Sequence, residues 1–432
     1  MKLYSTKDST KFVSLKEAVF KGLPADNGLY MPDFIPQLEA DFIHNLKNHS
    51  FQSIAFTVAQ TLLRGVIPDK DLKKLIEQSI DFPAPVVKLD ETTHILELFH
   101  GPSLAFKDFG ARFMAQLMSY FNKRNKRELV ILVATSGDTG GAVAAGFYKT
   151  LGIKVVILYP SGKVSMLQEK QLTTLGENIT ALEVEGTFDD CQALVKKAFL
   201  DKELTKKIRL SSANSINIAR LIPQSFYYFE AAKQVDTQGK PLVFSIPSGN
   251  FGNLTAGLFA QKMGLPVSKF IAATNANDVV PQYLASGTYT PTPSVPTLSN
   301  AMDVGNPSNF ARMLDLYGST WNNMRENIVG YAYNDDVTKA AMREVRTKYN
   351  YVIDPHGAVG YLALKEYQKT NDAVGIILET AHPAKFLDDV QGILEEKIEI
   401  PERLASLTDK KKEARLSPTD FGDFKNWLLT NY

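Results

Sequence analysis

LVILVATSGDTGGAVAAGFYKTLGIKVVILYP, residues 129–160, holds two short β-branched runs separated by a small-residue amphipathic stretch. Each run is bounded by Gly, Pro or polar turn residues and has the length of a strand rather than of an ordinary helix. Continuous apolar runs of this kind suit strands buried on both faces of a parallel sheet, and the stretch between them suits the crossover helix. The same grammar returns downstream as strand NITALEVEG, helix DDCQALVKKAFLD, strand PLVFSIPSG, helix LTAGLFAQKMG and strand SKFIAATN. The pattern predicts an α/β protein with two parallel-sheet αβα lobes.

Outside these lobes the pattern changes. Residues 1–90 carry Pro24, Pro32, Pro36, Pro68, Pro83 and Pro85 and read as a separate, mostly helical N-terminal segment. The region 91–400 contains the two lobes, and 401–432 reads as a helical tail. The Ser-, Thr- and Pro-rich run SGTYTPTPSVPTLSN at 286–300 predicts a loop suited to cover a site. The charged run DKKKEAR at 409–415 reads as a solvated helix face.

Bulk composition narrows the function classes. Lys plus Arg number 48 against 47 for Asp plus Glu, so a net charge of +1 provides no field for nucleic acid or an anionic membrane. No apolar run approaches the roughly 18 residues that would span a bilayer, and MKLYSTKDSTKF lacks a secretion-signal core. The single Cys191 excludes an intrachain disulfide framework and fits a reducing compartment, so a cytoplasmic protein is expected. Six histidines show no metal-ligand spacing, and no metal site is predicted.

Four segments carry candidate chemistry. In HGPSLAFKDFGARFMAQLMSYF, Phe109, Phe113, Leu117 and Phe121 recur at helical spacing, which puts Lys107 near a helix start. A positive helix end and flanking Phe106 and Phe109 disfavour the charged amine, and a neutral amine can form a Schiff base or take a proton from carbon. A solvated surface lysine is the bland alternative. In ATSGDTGGAV, Thr135, Ser136, Asp138 and Thr139 form a hydroxyl-rich turn at a strand's carboxyl end, fit for an anion or for capping by Asp138 or Ser136. In SIPSGNFGNLTAG, Ser248, Gly249, Asn250, Phe251, Gly252 and Asn253 lie between strand and helix and read as a phosphate cup. That cup is neither a P-loop nor a dinucleotide fingerprint. Thr380, where VGIILET ends, offers a neutral hydroxyl to a ring nitrogen or is a strand-end residue.

Together the phrases ELFHGPSLAFKDFGARFM, TSGDTGGAV, SANSINIARL, PSGNFGNLTAGL, TLSNAMDVGNPSN and TAHPAKF, with the N-terminal GLPADNGLYMP, resemble the threonine synthase family of fold type II pyridoxal-phosphate enzymes. The resemblance covers essentially the whole chain. It implies Lys107 as the Schiff-base lysine, the cup at 248–253 around the cofactor phosphate, and Thr380 facing the pyridine nitrogen. It further implies Thr135, Ser136, Asp138, Thr139 and Asn214 near the substrate, with Lys163, Arg112, Asn214 and Lys385 as candidates to clamp its phosphate. The implied reaction converts O-phospho-L-homoserine and water to L-threonine and phosphate, in a monomer or homodimer. The alternative is a phospholyase or dehydratase of the same fold that releases a 2-oxo acid.

Overall fold

The two β-branched runs of 129–160 become strands Leu129–Ala134 and Ile153–Pro160, paired in parallel from Leu129 opposite Ile153 to Ala134 opposite Leu158. Helix Asp138–Phe147 crosses between them. The computed structural model describes residues 1–123, 125 and 127–432. The first lobe is a parallel sheet in the order Arg415–Ser417, Ile179–Val184, Ile153–Pro160, Leu129–Ala134, Arg209–Ser212. Strand Leu129–Ala134 is buried along its whole length and Ile153–Pro160 everywhere but Lys154, which is why these two read as apolar runs.

The second lobe is a six-stranded sheet in the order Ile328–Ala332, Lys269–Thr274, Leu242–Pro247, Val374–Glu379, Thr93–Glu97, Val86–Lys88. Five of these strands are parallel; Val86–Lys88 pairs antiparallel with Thr93–Glu97 at one edge. Helices Gly252–Lys262 and Pro355–Gln368 flank this lobe. Helix Lys107–Asn122 buries Phe109, Phe113, Met114 and Leu117, with Phe113 edge-on to Phe226 at 5.8 Å.

Before residue 90 the chain forms the expected helices, Phe51–Leu63 and Asp69–Ser79, and also a small antiparallel sheet in the order Asp8–Ser14, Lys2–Ser5, Tyr30–Pro32. Strand Asp8–Ser14 is mostly exposed, so its sequence has no apolar alternation to announce it. The second departure is at 409–415. That run is irregular and enters strand Arg415–Ser417, and Lys412 bridges Glu169 and Glu183 at 2.7 Å each. Its charges are fixed across elements, not displayed on one helix face. The run 286–300 holds no strand; the helix Val279–Ser286 ends where it begins.

The tail belongs to the first lobe's core. Helix Phe421–Asn431 buries Phe424 and Leu428 against Leu194, Ala198 and Leu204. Replacing Phe424 by Ala should lower stability by about 3–5 kcal/mol, the usual cost of emptying a large aromatic site. Urea unfolding followed by far-UV circular dichroism measures it. A loss below about 0.5 kcal/mol, typical of a surface change, would show the tail to be a detachable extension.

Candidate active site

Lys107 is the first residue of helix Lys107–Asn122, so its backbone sits at the positive end of that helix. The turn before it is tied to the end of strand Val374–Glu379: the Phe106 amide donates to the Thr380 carbonyl at 2.9 Å, and the His382 amide donates to the Leu104 carbonyl at 3.0 Å. Gly101 allows the turn to close, because a Cβ there would lie 2.5 Å from Asp108 Oδ2. That oxygen accepts the Ser103 amide at 2.8 Å. Burial pushes the Asp108 carboxyl up to about 6.

Around the Lys107 amine the fold assembles one carboxylate and a second amine. Asp138, the first residue of helix Asp138–Phe147, places Oδ2 at 3.7 Å from Lys107 Nζ and Oδ1 at 2.8 Å from Lys385 Nζ. Gln168 Nε2 also donates to Oδ1, at 2.9 Å. Lys385 Nζ donates in addition to the Ser103 carbonyl at 2.7 Å. Burial lowers the Lys107 amine below the ordinary lysine range; Asp138 opposes that shift, while Lys385 and Arg220 add to it. For Asp138, burial works to raise the carboxyl, but Lys385 and Lys107 outweigh it and hold it well below the usual range. Asp138 is therefore an anion bound to cations.

The anion cup forms at the end of strand Leu242–Pro247, next to the strand that leads to Thr380. Ser248 Oγ donates to Asn253 Oδ1 at 2.8 Å, and Asn253 Nδ2 donates to the Pro247 carbonyl at 2.8 Å, which closes the turn. Phe251 takes the left-handed conformation, φ 58°, as the residue before helix Gly252–Lys262. Among the described residues, the backbone amides of Gly249, Asn250, Phe251, Gly252 and Asn253 donate to no acceptor of the chain. Free amides at a helix N-terminus fit a phosphate. At Gly249 a Cβ would lie 2.8 Å from the Ala301 carbonyl oxygen and the Met302 Cα, so the segment after 297 closes directly over the cup.

A buried polar chain fixes that segment. The Ala301 amide donates to His356 Nε2 at 3.2 Å, and His356 Nδ1 donates to Asp354 Oδ2 at 2.8 Å. Asp354 Oδ1 accepts the Gly357 amide at 2.6 Å, and the Asp354 amide donates to Glu379 Oε1 at 2.7 Å. Burial and the neighbouring Asp354 push the Glu379 carboxyl well above the usual range. Asn275 Nδ2 donates to Asp303 Oδ1 at 2.9 Å and to Thr297 Oγ1 at 2.7 Å, which pins the far side of the loop. Thr380 follows Glu379, and among the described residues its hydroxyl has no protein partner.

The TSGDTG residues divide by direction. Thr135 is buried, and its Oγ1 accepts the amides of Gly137 at 2.9 Å and Gly140 at 2.8 Å. Thr135 thus does the capping expected of Ser136 or Asp138. Ser136 and Thr139 are half-buried, without protein partners among the described residues, and remain for a ligand. Asn214 Nδ2 donates to the Ala134 carbonyl at 3.1 Å, bracing the strand end that leads into this turn. Of the candidate phosphate clamps, Arg112 is engaged by Asp81 and the carbonyls of Gln78 and Ser79, and Lys385 is fully enclosed. Lys163 is exposed. Sequence reading passed over Gln168, Arg220 and Asp108; only the adjacency of Asp108 to Lys107 marked any of them.

A largely enclosed lysine amine beside a carboxylate, a cup of free amides and a neutral hydroxyl, on neighbouring carboxyl ends of one parallel sheet, fit a pyridoxal-phosphate-dependent enzyme. The model of the family described as pyridoxal-phosphate dependent enzyme matches residues 81–378. Models for the threonine synthase N terminus and C-terminal region match residues 2–80 and 357–427. Threonine synthase of Serratia marcescens is 45% identical over 431 residues, with 99% of each chain covered. The crystal structure of threonine synthase from Escherichia coli superposes with a TM-score of 0.93 at 44% identity over 100% of both chains. The pyridoxal-phosphate-bound threonine synthase from Brucella melitensis gives 0.94 at 34% identity, covering 99% of this chain and 98% of that one. The chain belongs to the threonine synthase family. Its cofactor is pyridoxal phosphate, and it is a lyase.

Gly249→Ala should weaken cofactor binding by about 5- to 150-fold, since overpacking by one methyl costs about 1–3 kcal/mol. Fluorescence titration of the apoprotein with pyridoxal phosphate reads this directly. An unchanged Kd would mean that the segment at 301–302 does not bear on the cup.

Proposed function

We propose that this enzyme converts O-phospho-L-homoserine and water to L-threonine and phosphate, the last step of threonine biosynthesis. The observation that carries the reading is the joint placement of the Lys107 amine beside Asp138 and of five free amides at 249–253. The residues that act lie within 91–400, the region assigned to catalysis, with 1–90 and 401–432 as supporting segments. The enzyme works in the cytoplasm as a monomer or homodimer on a small-molecule substrate, without nucleic acid. No helix among the described residues is long and apolar enough to cross a membrane.

Pyridoxal phosphate, when bound, supplies an electron sink for the pair released from the substrate's Cα. Lys107 would hold the cofactor through its side-chain amine, and the same amine, when free, would take the Cα proton. The amides of Gly249, Asn250, Phe251, Gly252 and Asn253 hold the cofactor phosphate at the N-terminus of helix Gly252–Lys262. Ser248 and Asn253 brace the cup through their mutual hydrogen bond. The Thr380 hydroxyl would serve as a neutral hydrogen-bond partner to the ring nitrogen, one that imposes no positive charge on it. Ser136 and Thr139 hydroxyls, with the N-terminal amides of helix Asp138–Phe147, hold the substrate carboxylate. Thr135 keeps that turn in shape and Asn214 braces the strand before it.

Asp138, as an anion, repels a second carboxylate, so its part is to face cations: Lys107 and Lys385. In the net reaction a proton leaves Cα and another leaves Cβ, and phosphate departs from Cγ. Protons return to Cγ and Cα, and water gives its hydroxyl to Cβ while its remaining proton goes to the departing phosphate. The segment at 301–304 covers the cup at Gly249 and so would shield the cofactor phosphate from bulk water.

Purified protein loaded with pyridoxal phosphate should turn O-phospho-L-homoserine into threonine and phosphate in equal amounts, with little 2-oxobutyrate. Amino-acid chromatography, a phosphate assay and a 2-oxo-acid assay on the same sample give all three amounts. Phosphate accompanied by 2-oxobutyrate would assign a phospholyase instead. Lys107→Ala should reduce turnover by at least about a thousandfold, in line with loss of a covalent and proton-transfer group.

A further inference from the structure

Lys385 lies in the TAHPAKF turn, and its side chain has no solvent exposure. A buried ammonium is tolerated when it is paired and hydrogen-bonded. Lys385 Nζ meets both conditions, with Asp138 Oδ1 at 2.8 Å and the Ser103 carbonyl at 2.7 Å. The Ser103 carbonyl is itself fixed by a second donor, Gln171 Nε2 at 3.0 Å. Lys107 reaches the same carboxylate only at 3.7 Å, beyond hydrogen-bonding distance, with its side chain 18% exposed. One carboxylate thus faces two amines, and the short, braced contact is the one to Lys385.

We propose that Lys385 is a positioning residue that claims the Asp138 carboxylate and so leaves the Lys107 amine as the uncharged member of the pair, ready to accept a proton from substrate carbon. This rests on Lys107 being the cofactor lysine. The groups facing Lys107 are Asp138 and Lys385, the Arg220 guanidinium, and the Phe106 ring at 5.8 Å. Asp108, the next residue, turns its Oδ2 to the Ser103 amide. The N-termini of helices Lys107–Asn122 and Asp138–Phe147 add positive potential. Asp138 is the one near group that favours a charged Lys107, and Lys385 neutralises it.

The test uses the holoenzyme. Wild type, Lys385→Met, Lys385→Arg and Asp138→Asn are loaded with pyridoxal phosphate, and the visible absorbance band is titrated with pH. Its midpoint reports protonation of the nitrogen joining Lys107 to the cofactor. Lys385→Met, which removes a like charge and frees Asp138 for Lys107, should raise the midpoint by about 1–3 units. Asp138→Asn keeps the shape, removes the anion and should lower it; Lys385→Arg should return it toward the wild-type value. An unchanged or lowered midpoint in Lys385→Met overturns the proposal, and if it comes with a raised KM for O-phospho-L-homoserine, Lys385 is a substrate contact. Should Lys385→Met fail to fold, an unchanged midpoint in Asp138→Asn overturns it as well. A Lys107→Ala holoprotein that keeps the wild-type band and titration would instead remove the assignment of Lys107.

Discussion

Asp138 is buried with one oxygen on Lys385 and the other toward Lys107, and this ion cluster is where the two lobes meet chemically. Asp138 comes from the first lobe, directly after strand Leu129–Ala134 and its turn; Lys385 and the Lys107 turn hang on the end of strand Val374–Glu379 in the second. Charges out of water persist only when compensated, and removing one member of such a pair typically costs about 3–5 kcal/mol. The cluster therefore ties the two lobes together and sets the charges around the Lys107 amine through the same contacts. The Ser103 carbonyl and Gln168 Nε2 add one hydrogen bond each, to Lys385 and to Asp138.

The cup at 248–253 meets a different need by different means. Its donors are backbone amides, so the anion is held by geometry and the helix end, and the cup itself contributes no titrating side chain. Holding that geometry requires Phe251 in a left-handed conformation and Gly249 without a Cβ under the Ala301–Met302 segment. The chain from Ala301 through His356 and Asp354 to Glu379 then joins the cup's cover to the strand that presents Thr380. Cover, cup and the strand end that carries Thr380 are thereby parts of one buried hydrogen-bonded frame.

Much of this was legible in the sequence where the signal is local. Residues 129–160 announce strand, turn, helix and strand because both faces of the strands are buried, and the glycine-rich cup follows a strand just as its chemistry needs. Strand Asp8–Ser14 was not legible, since an exposed edge strand needs no apolar pattern, and Arg415–Ser417 was hidden in a charged run whose lysine pairs across to Glu169 and Glu183. The capping of the TSGDTG turn fell to Thr135 rather than Ser136 or Asp138, a choice set by which side chain points inward. Lys385 could be named only as one of several cations, because its partner Asp138 is distant in the chain and only folding makes them neighbours.

The most direct measurement is the identity of the lysine that carries the cofactor. Borohydride reduction of the holoenzyme followed by peptide mapping should place the reduced pyridoxyl group on Lys107, within the peptide that contains AFKDFGAR. Finding it on Lys385, or on any other lysine, would contradict the assignment of Lys107 and with it the role given to Asp138.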